Sequence, residues 1–399
     1  MVGRSLARDS GLRHTALFIL VLTMASAVLP APVPPPQPAY SGSLPANYQP
    51  LHKGGIDLAT GLYVREDEDV IVDGDPPLIV RRTYLANYRV QKEFGIGTTH
   101  NGEIYLHGDF QNISLILAKG SRIGFVRSSP FLVYENRGGA REWIGSDLRF
   151  GLFGWTLKRR DGYELTFQAC GKGTTCSIIR SREPNGGTIQ YLRDPQGRLR
   201  KMQAGLRWIE FEYDSANRIM RLKTSTDRQV SYSYDERGRL ARVREDEGAV
   251  RWYKYTDFDQ LSKIEDPGTT IENYYDANGR VFRQVNRYPD DPEELTFNFS
   301  YKLNGSDVAE TTSRRSDGRW SHYVFTRDGD VERETRGLEL RRLVEFFYDR
   351  DPQTSVTRSL TAICADEYGI PQRYSREIRD GNPEVAKAEL SVSCRVPPR

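Results

Sequence analysis

Between residues 192 and 281 the chain alternates aromatic and polar positions, breaks at a turn, and starts again. The copies read Phe211-Glu-Tyr-Asp-Ser-Ala-Asn-Arg-Ile219, Tyr232-Ser-Tyr-Asp-Glu-Arg-Gly-Arg-Leu240, Tyr253-Lys-Tyr-Thr-Asp-Phe-Asp-Gln-Leu261 and Asn273-Tyr-Tyr-Asp-Ala-Asn-Gly-Arg-Val281. Aromatics fall at i and i+2: Phe211/Tyr213, Tyr232/Tyr234, Tyr253/Tyr255, and later Phe299/Tyr301, Tyr323/Phe325 and Phe346/Tyr348. A period of two puts both rings on one strand face. The Asp-x-x-Gly that follows is the sequence of a type I turn with a left-handed fourth residue. Its Asp accepts from backbone N–H groups two residues on, and Gly197, Gly238 and Gly279, with Asn217 as substitute, supply the positive φ. Hairpins closed through a glycine bulge are predicted. Beyond each turn, apolar residues fall three apart (Leu199/Met202, Ile219/Leu222, Leu240/Val243, Leu261/Ile264). That spacing fits either a β-bulge or one helical turn, and the turn residues favour the hairpin.

The anchors Arg193, Tyr213, Tyr234, Tyr255 and Tyr275 are 20, 21, 21 and 20 residues apart. A fixed period of this size marks stacked supersecondary units. The expected fold is all-β: an N-terminal β domain, then an array of hairpins in one continuous, curved sheet. Tyr213, Asp214, Tyr234, Asp235, Gly238, Arg239, Tyr255, Tyr275, Asp276, Gly279 and Arg280 are the expected structural residues of the array. Stacked aromatics add roughly 0.2–1 kcal/mol per pair. The Arg four residues past each Asp (Arg198, Arg218, Arg239, Arg280) reads either as a basic ladder for an acidic glycan or as an ion pair clamping its own turn. The clamp is the preferred reading, and at a surface it contributes about 0–1 kcal/mol.

The repeat resembles the YD repeat of rearrangement-hotspot (RHS) proteins and their teneurin relatives. Upstream, His52-Lys-Gly-Gly-Ile-Asp-Leu-Ala-Thr-Gly-Leu-Tyr-Val64 followed by Pro77-Leu-Ile-Val-Arg-Arg-Thr-Tyr84 is similar to the opening domain of RHS proteins. Trp155-Thr-Leu-Lys-Arg-Arg-Asp-Gly-Tyr-Glu-Leu-Thr-Phe167 is similar to the passage into their first repeats. The resemblance covers roughly residues 52 to 350. It implies a non-catalytic β ribbon that, in complete family members, closes as a cocoon around a toxin. Only about five copies are good here, and after Val281 the spacing stretches to Tyr301, Phe325 and Tyr348. The family's autoproteolytic segment and variable toxin domain are not visible, and Asp266-Pro267-Gly268 reads as an ordinary turn.

The chain's 35 Gly, 21 Pro and 22 Tyr in 399 residues suit a turn-rich β protein. The formal charge of +3 is nearly neutral for this size, and no basic stripe argues for nucleic acid. Arg4, Arg8 and Arg13, the apolar stretch Thr15 to Leu29 and Ala25-Ser-Ala27 read as a secretory signal. Export to the medium, the periplasm or the cell envelope is therefore expected, with no stable membrane span after cleavage. The expected organisation is signal 1–27, Pro-rich leader 28–50, opening domain 51–168, YD array 169–350, and a degenerate repeat or C-terminal cap 351–399. Four cysteines allow three pairings. Sequence proximity favours Cys170–Cys176 and Cys364–Cys394, whose closed loops correspond to about 2 and 3.5 kcal/mol. A metal site competes for these cysteines but lacks a paired C-x-x-C spacing and a nearby His.

Chemistry is sparse. Gly171-Lys-Gly-Thr-Thr175 carries Gly173 where a phosphate loop needs Ser or Thr, and no G-x-S-x-G or H-E-x-x-H occurs. His100 and His107 flank an expected strand, Gly102 to Leu106, and face a cleft with Asp109 or serve structurally; the structural role is preferred. The run Glu66-Asp-Glu-Asp69 reads as a solvated edge or turn. No catalytic, cofactor or metal residue and no cofactor is assigned, and the protein is read as not an enzyme. Three functions remain: an exported scaffold that binds a protein partner or itself through open sheet edges, a carbohydrate-binding surface protein stacking sugars on tyrosines, and a truncated or split RHS toxin shell.

Overall fold

A computed structural model describes residues 51–394 apart from 53, 87, 110, 119, 137–142, 153, 171–174, 247, 328, 352–355, 367–369 and 379–382. The expected signal segment and leader lie outside the described residues. Among the described residues the chain forms strands β1–β32 in chain order and one helix, α1 (Pro383–Ser393). The all-β expectation holds, as does the long curved sheet.

From β8 (Tyr105–Gly108) to β32 (Pro371–Glu377), each strand pairs antiparallel with the next. β15 (Cys176–Arg182) also pairs with β8 through Cys176↔Leu106 and Ser177↔Tyr105, while its far half, Arg180 to Arg182, pairs with β16 (Thr188–Arg193). β8 to β15 therefore close into a ring of eight, and β16 to β32 continue from it as a ribbon. Leu106, Leu115, Phe125, Tyr134, Leu148, Leu157, Leu165 and Ile178 are buried in the ring. The expected strand Gly102–Leu106 is observed two to three residues later, as β8.

In the ribbon, β18 (Arg207–Tyr213) and β19 (Ile219–Thr224) pair as Phe211↔Leu222, Glu212↔Arg221 and Tyr213↔Ile219, with a register shift at Glu212/Tyr213. The same shift recurs at Ser233/Tyr234, Lys254/Tyr255 and Tyr274/Tyr275. A bulge of one residue puts positions three apart on the same face. Ile219 and Leu222, Leu240 and Val243, and Leu261 and Ile264 are accordingly all buried.

The segment preceding the ring lies against the ribbon's apolar face. It carries β3 (Val64–Val72), β4 (Leu78–Leu85) and β7 (Thr98–His100) as a small antiparallel sheet. Its Tyr63, Val70, Val80, Tyr84 and Phe94 share one core with Phe211, Tyr232 and Tyr253. A second core, Val344, Phe346, Leu360 and Ala362, lies under Ala386 and Leu390 of α1. This helix was not expected in the C-terminal region.

Candidate functional site

Each turn is held by its own side chains. The Asp214 carboxylate accepts from the N–H groups of Ala216 and Arg218 at 2.9 Å, and from Arg218 Nε at 2.8 Å. Asp235 and Asp194 repeat this with Arg239 and Arg198, each at 2.7 Å. Burial favours the neutral acid, but the hydrogen bonds and charge of the Arg outweigh it and hold Asp194 and Asp214 below the usual carboxylate range. Gly238 and Gly279 adopt φ of 82° and 81°, and Asn217 adopts 60°. Asp276 accepts from the Arg280 N–H, whereas the Arg280 guanidinium donates to the Ser306 carbonyl.

The anchor tyrosines join one unit to the next. The hydroxyls of Tyr213, Tyr234, Tyr255, Tyr275 and Tyr301 donate to the carbonyls of Leu199, Ile219, Leu240, Leu261 and Val281 at 2.5–2.8 Å. The guanidinium of each preceding turn covers the ring: Arg198 on Tyr213 at 4.6 Å, Arg218 on Tyr234 at 4.4 Å, Arg239 on Tyr255 at 4.8 Å. These arginines thus have a carboxylate on one side and a ring on the other, which leaves little of a free basic ladder. At the degenerate copy, Arg193 stands in the anchor position and donates to the carbonyls of Ile178, Gly197 and Gly102.

The N-terminal segment binds just where the bulges free backbone groups. Ile219 N–H donates to the Glu93 carbonyl at 2.7 Å, Val281 N–H to the Gly61 carbonyl at 2.8 Å, and Leu261 N–H to the Tyr84 hydroxyl at 3.0 Å. Thr311 and Gln284 reach the carbonyls of Leu58 and Gly54. Buried N–H groups left unpaired are costly, so this seam supplies the partners that the bulge amides of Ile219, Leu261 and Val281 need.

At its centre lies a buried ion cluster. Arg82 donates to Asp69 at 2.5 and 3.0 Å and to the Tyr253 hydroxyl at 3.0 Å. Tyr232 donates to Asp69 at 2.8 Å, and Arg251 contacts it at 3.1 Å. Arg65 joins Asp67 to Asp266 of the ribbon. The Asp69 side chain is 0% exposed. Burial pushes the Asp67 carboxyl up, but Arg82 and Arg65 outweigh it and hold it below its ordinary value. The expectation of a solvated edge at Glu66–Asp69 is therefore corrected: only Glu68 is exposed, and the alternate residues Asp67 and Asp69 face inward to arginines.

His100 is buried, and its Nε2 lies 2.8 Å from Glu93 and 3.9 Å from Glu103. His107 and Asp109 are exposed, so no common cleft forms. Glu93, His100 and Glu103 place one ligand-type atom each within 4.8 Å of one another. The Gly102 N–H donates to His100 Nδ1 at 3.1 Å, which leaves the ring proton on Nε2. A metal at Nε2 would force that proton onto Nδ1, against a backbone donor. The group is therefore better suited to holding residues 93–103 in place than to ligating an ion. Burial raises Glu93, but its hydrogen bond to His100 and the charges around it prevail, so it lies below its usual value; Glu103, with burial dominant, lies above.

Cys170 and Cys176 are bridged with Cα atoms 5.2 Å apart, and Cys364 and Cys394 with 5.7 Å. Residues 171–174 of the glycine-rich run lie outside the described residues. Of Asp266-Pro267-Gly268, Asp266 ends β23 (Leu261–Asp266) and Pro267-Gly268 is the two-residue link to β24 (Thr269–Tyr275).

Fold and seam together define an all-β repeat ribbon lined by its own N-terminal segment. Two family models match: "Domain of unknown function (DUF6531)", an RHS-associated domain, over residues 53–125, and "RHS Repeat" over residues 211–250. The first falls on the lining segment and the start of the ring, the second on two well-formed copies. Over those residues the chain carries an RHS-associated domain and an RHS repeat. Comparison with curated proteins finds no match. Among solved structures, the Photorhabdus luminescens Tc holotoxin pore is 11% identical with a TM-score of 0.34, over 80% of this chain and 20% of that one. TcdB2-TccC3 without its hypervariable C-terminal region is 11% identical with a TM-score of 0.34, over 76% and 22%. A porin-like protein from Bacteroides uniformis is 11% identical with a TM-score of 0.24, over 54% and 94%. The chain thus spans about a fifth of the length of the toxin chains.

Proposed function

We propose that this chain is an exported, non-catalytic RHS scaffold that works by contact at a cell surface or in the envelope. The observation that carries this reading is the occupied inner face of the ribbon. Residues 54–104 and α1 cover its apolar side with buried ion pairs and hydrogen bonds, so the surfaces left for function are outer faces and strand ends. The anchor tyrosines Tyr213, Tyr234 and Tyr255 are poor sugar platforms, because their hydroxyls donate to carbonyls and guanidinium groups cover their rings.

The test is expression of the full chain, and of a form lacking residues 2–27, in a bacterial host, followed by fractionation and crosslinking of the intact cells. The scaffold reading predicts a full chain in the periplasm, envelope or medium, crosslinked to a protein partner or itself, and a truncated form retained in the cytoplasm. A full chain retained in the cytoplasm, or one exported without any crosslinked protein, would overturn it.

A further inference from the structure

β32 pairs with β31 (Thr357–Ala365) and, among the described residues, with no strand on its other side. The ladder shows which of its backbone groups are free. The Asp366 N–H donates to the Ile370 carbonyl, and the Ile378 N–H to the Arg358 carbonyl. Bonded pairs alternate along an antiparallel ladder, so Gln372, Tyr374 and Arg376 also turn their backbone groups to β31. The residues between them, Pro371, Arg373, Ser375 and Glu377, turn theirs outward. Proline thus stands at an outward position, where its missing N–H takes nothing from the ladder. Arg373, Ser375 and Glu377 present both N–H and C=O along an open edge, a template for a further strand.

The edge strand is braced from one face. Tyr374 packs on the second core, Arg376 pairs with Glu389 of α1 at 3.2 Å, and Cys364–Cys394 ties the helix to β31. The buried Ala386 and Leu390 of α1 sit over Phe346, Leu360 and Ala362, which belong to the two strands before β32. The helix therefore supports the edge strand while leaving its outer side open.

The side chains select what pairs there. Arg373 and Glu377 are exposed, opposite in charge, and equally spaced about Ser375. Across the ladder they face Ile363 and Ser359, so β31 offers neither a counter-charge. We propose that β32 extends its sheet with β32 of a second copy, antiparallel and centred on Ser375. That register sets each Arg373 opposite Glu377 of the other copy, Ser375 opposite itself and Tyr374 opposite Arg376, with no like charges opposed. The outward N–H groups of residues 373, 375 and 377 then meet outward carbonyls, and Pro371 falls beyond them. Val385 and Val392 of α1, 54% and 78% exposed, flank Glu389 on the side that reaches β32. The two-fold axis brings both copies of this apolar flank to one face of the joined sheet. With a strand of 7 residues at its centre, the contact is small, and association is weak and concentration-dependent. The proposal rests on the scaffold reading above and names the partner of one edge.

The test is sedimentation velocity of the purified signal-free chain, disulfides intact, from dilute to concentrated solution. Wild type is expected to show a monomer–dimer equilibrium. Ser375→Pro removes the central outward N–H and should abolish the dimer while melting like wild type. Arg373→Glu opposes like charges and should raise the dimer Kd about tenfold; the double swap Arg373→Glu/Glu377→Arg should restore it. Ser375→Cys should crosslink to itself on oxidation, since directly opposed bonded residues lie about 5.5 Å apart, within disulfide reach. A wild type that stays monomeric at every concentration would overturn the proposal. The scaffold reading would stand, because export and crosslinking to protein in cells decide it separately. A dimer that Ser375→Pro leaves intact, or a double swap as weak as the single one, would also overturn the proposal, because the contact would then lie elsewhere.

Discussion

Arg82 is the side chain whose removal most directly tests the energetics of the seam. It is 3% exposed, makes two hydrogen bonds to Asp69 and one to the Tyr253 hydroxyl, and lies 5.5–6.0 Å from the rings of Tyr253, Phe94 and Tyr232. In Arg82→Met the packing volume is largely kept, but Asp69 loses its main partner inside the protein. Breaking a buried pair from one side costs about 3–5 kcal/mol. Arg251 and Tyr232 still reach Asp69, which places the expected loss near the lower figure, about 3 kcal/mol. Arg82→Lys keeps the charge but loses the planar two-pronged contact, so about 1–2 kcal/mol is expected. Urea unfolding of the signal-free chain with disulfides intact, followed by tryptophan fluorescence, gives both values. Two variants within about 0.5 kcal/mol of wild type would refute the argument, because the cluster would then be solvated and the segment loosely held.

Tyr234→Phe removes only the hydroxyl that donates to the Ile219 carbonyl and should cost about 1–2 kcal/mol in the same assay, while Tyr234→Ala, which also opens a void, should cost about 3–5 kcal/mol. Gly238→Val forces a β-branched residue to a φ of 82° and should lower the melting temperature even though its neighbours lie no closer than 3.4 Å to an added Cβ. Asp57 is buried, and desolvation pushes its carboxyl up to about 6. The folded state therefore binds the extra proton, and this group's contribution falls as pH rises from about 4 to 6; Asp57→Asn should remove that fall from a stability–pH curve. Reduction of Cys364–Cys394 opens the link across 30 residues and should release α1 to proteolysis ahead of the ribbon.

The repeats were legible because their signals are local. Asp, the φ-positive Gly and the Arg lie within five residues, and the three-residue apolar step follows from one inserted residue beside the anchor tyrosine. Ring closure was not legible: it depends on two residue pairs, Cys176↔Leu106 and Ser177↔Tyr105, between segments about 70 residues apart, with nothing in either strand to specify the other. The seam was half visible. Arg65, Asp67 and Asp69 alternate on one strand face, and Arg82 follows in the next strand, but Arg251 and Tyr232 lie more than 160 residues away. A charge run without local partners reads as a solvated edge. Helix α1 did leave a signal in Pro383 at its first position, with Glu384, Ala386, Lys387 and Leu390 after it, but it is a single short helix in a chain otherwise patterned for strands.

Hydrogen exchange at Ile219 and Val281 tests the central claim most directly, because these ribbon amides donate not to neighbouring strands but to Glu93 and Gly61 of the N-terminal segment. An occupied inner face predicts that both exchange as slowly as ladder amides of the same strands, and that Arg82→Met speeds them selectively. Rapid exchange at both positions in wild type, with the ladder amides still protected, would show that the segment does not line the ribbon.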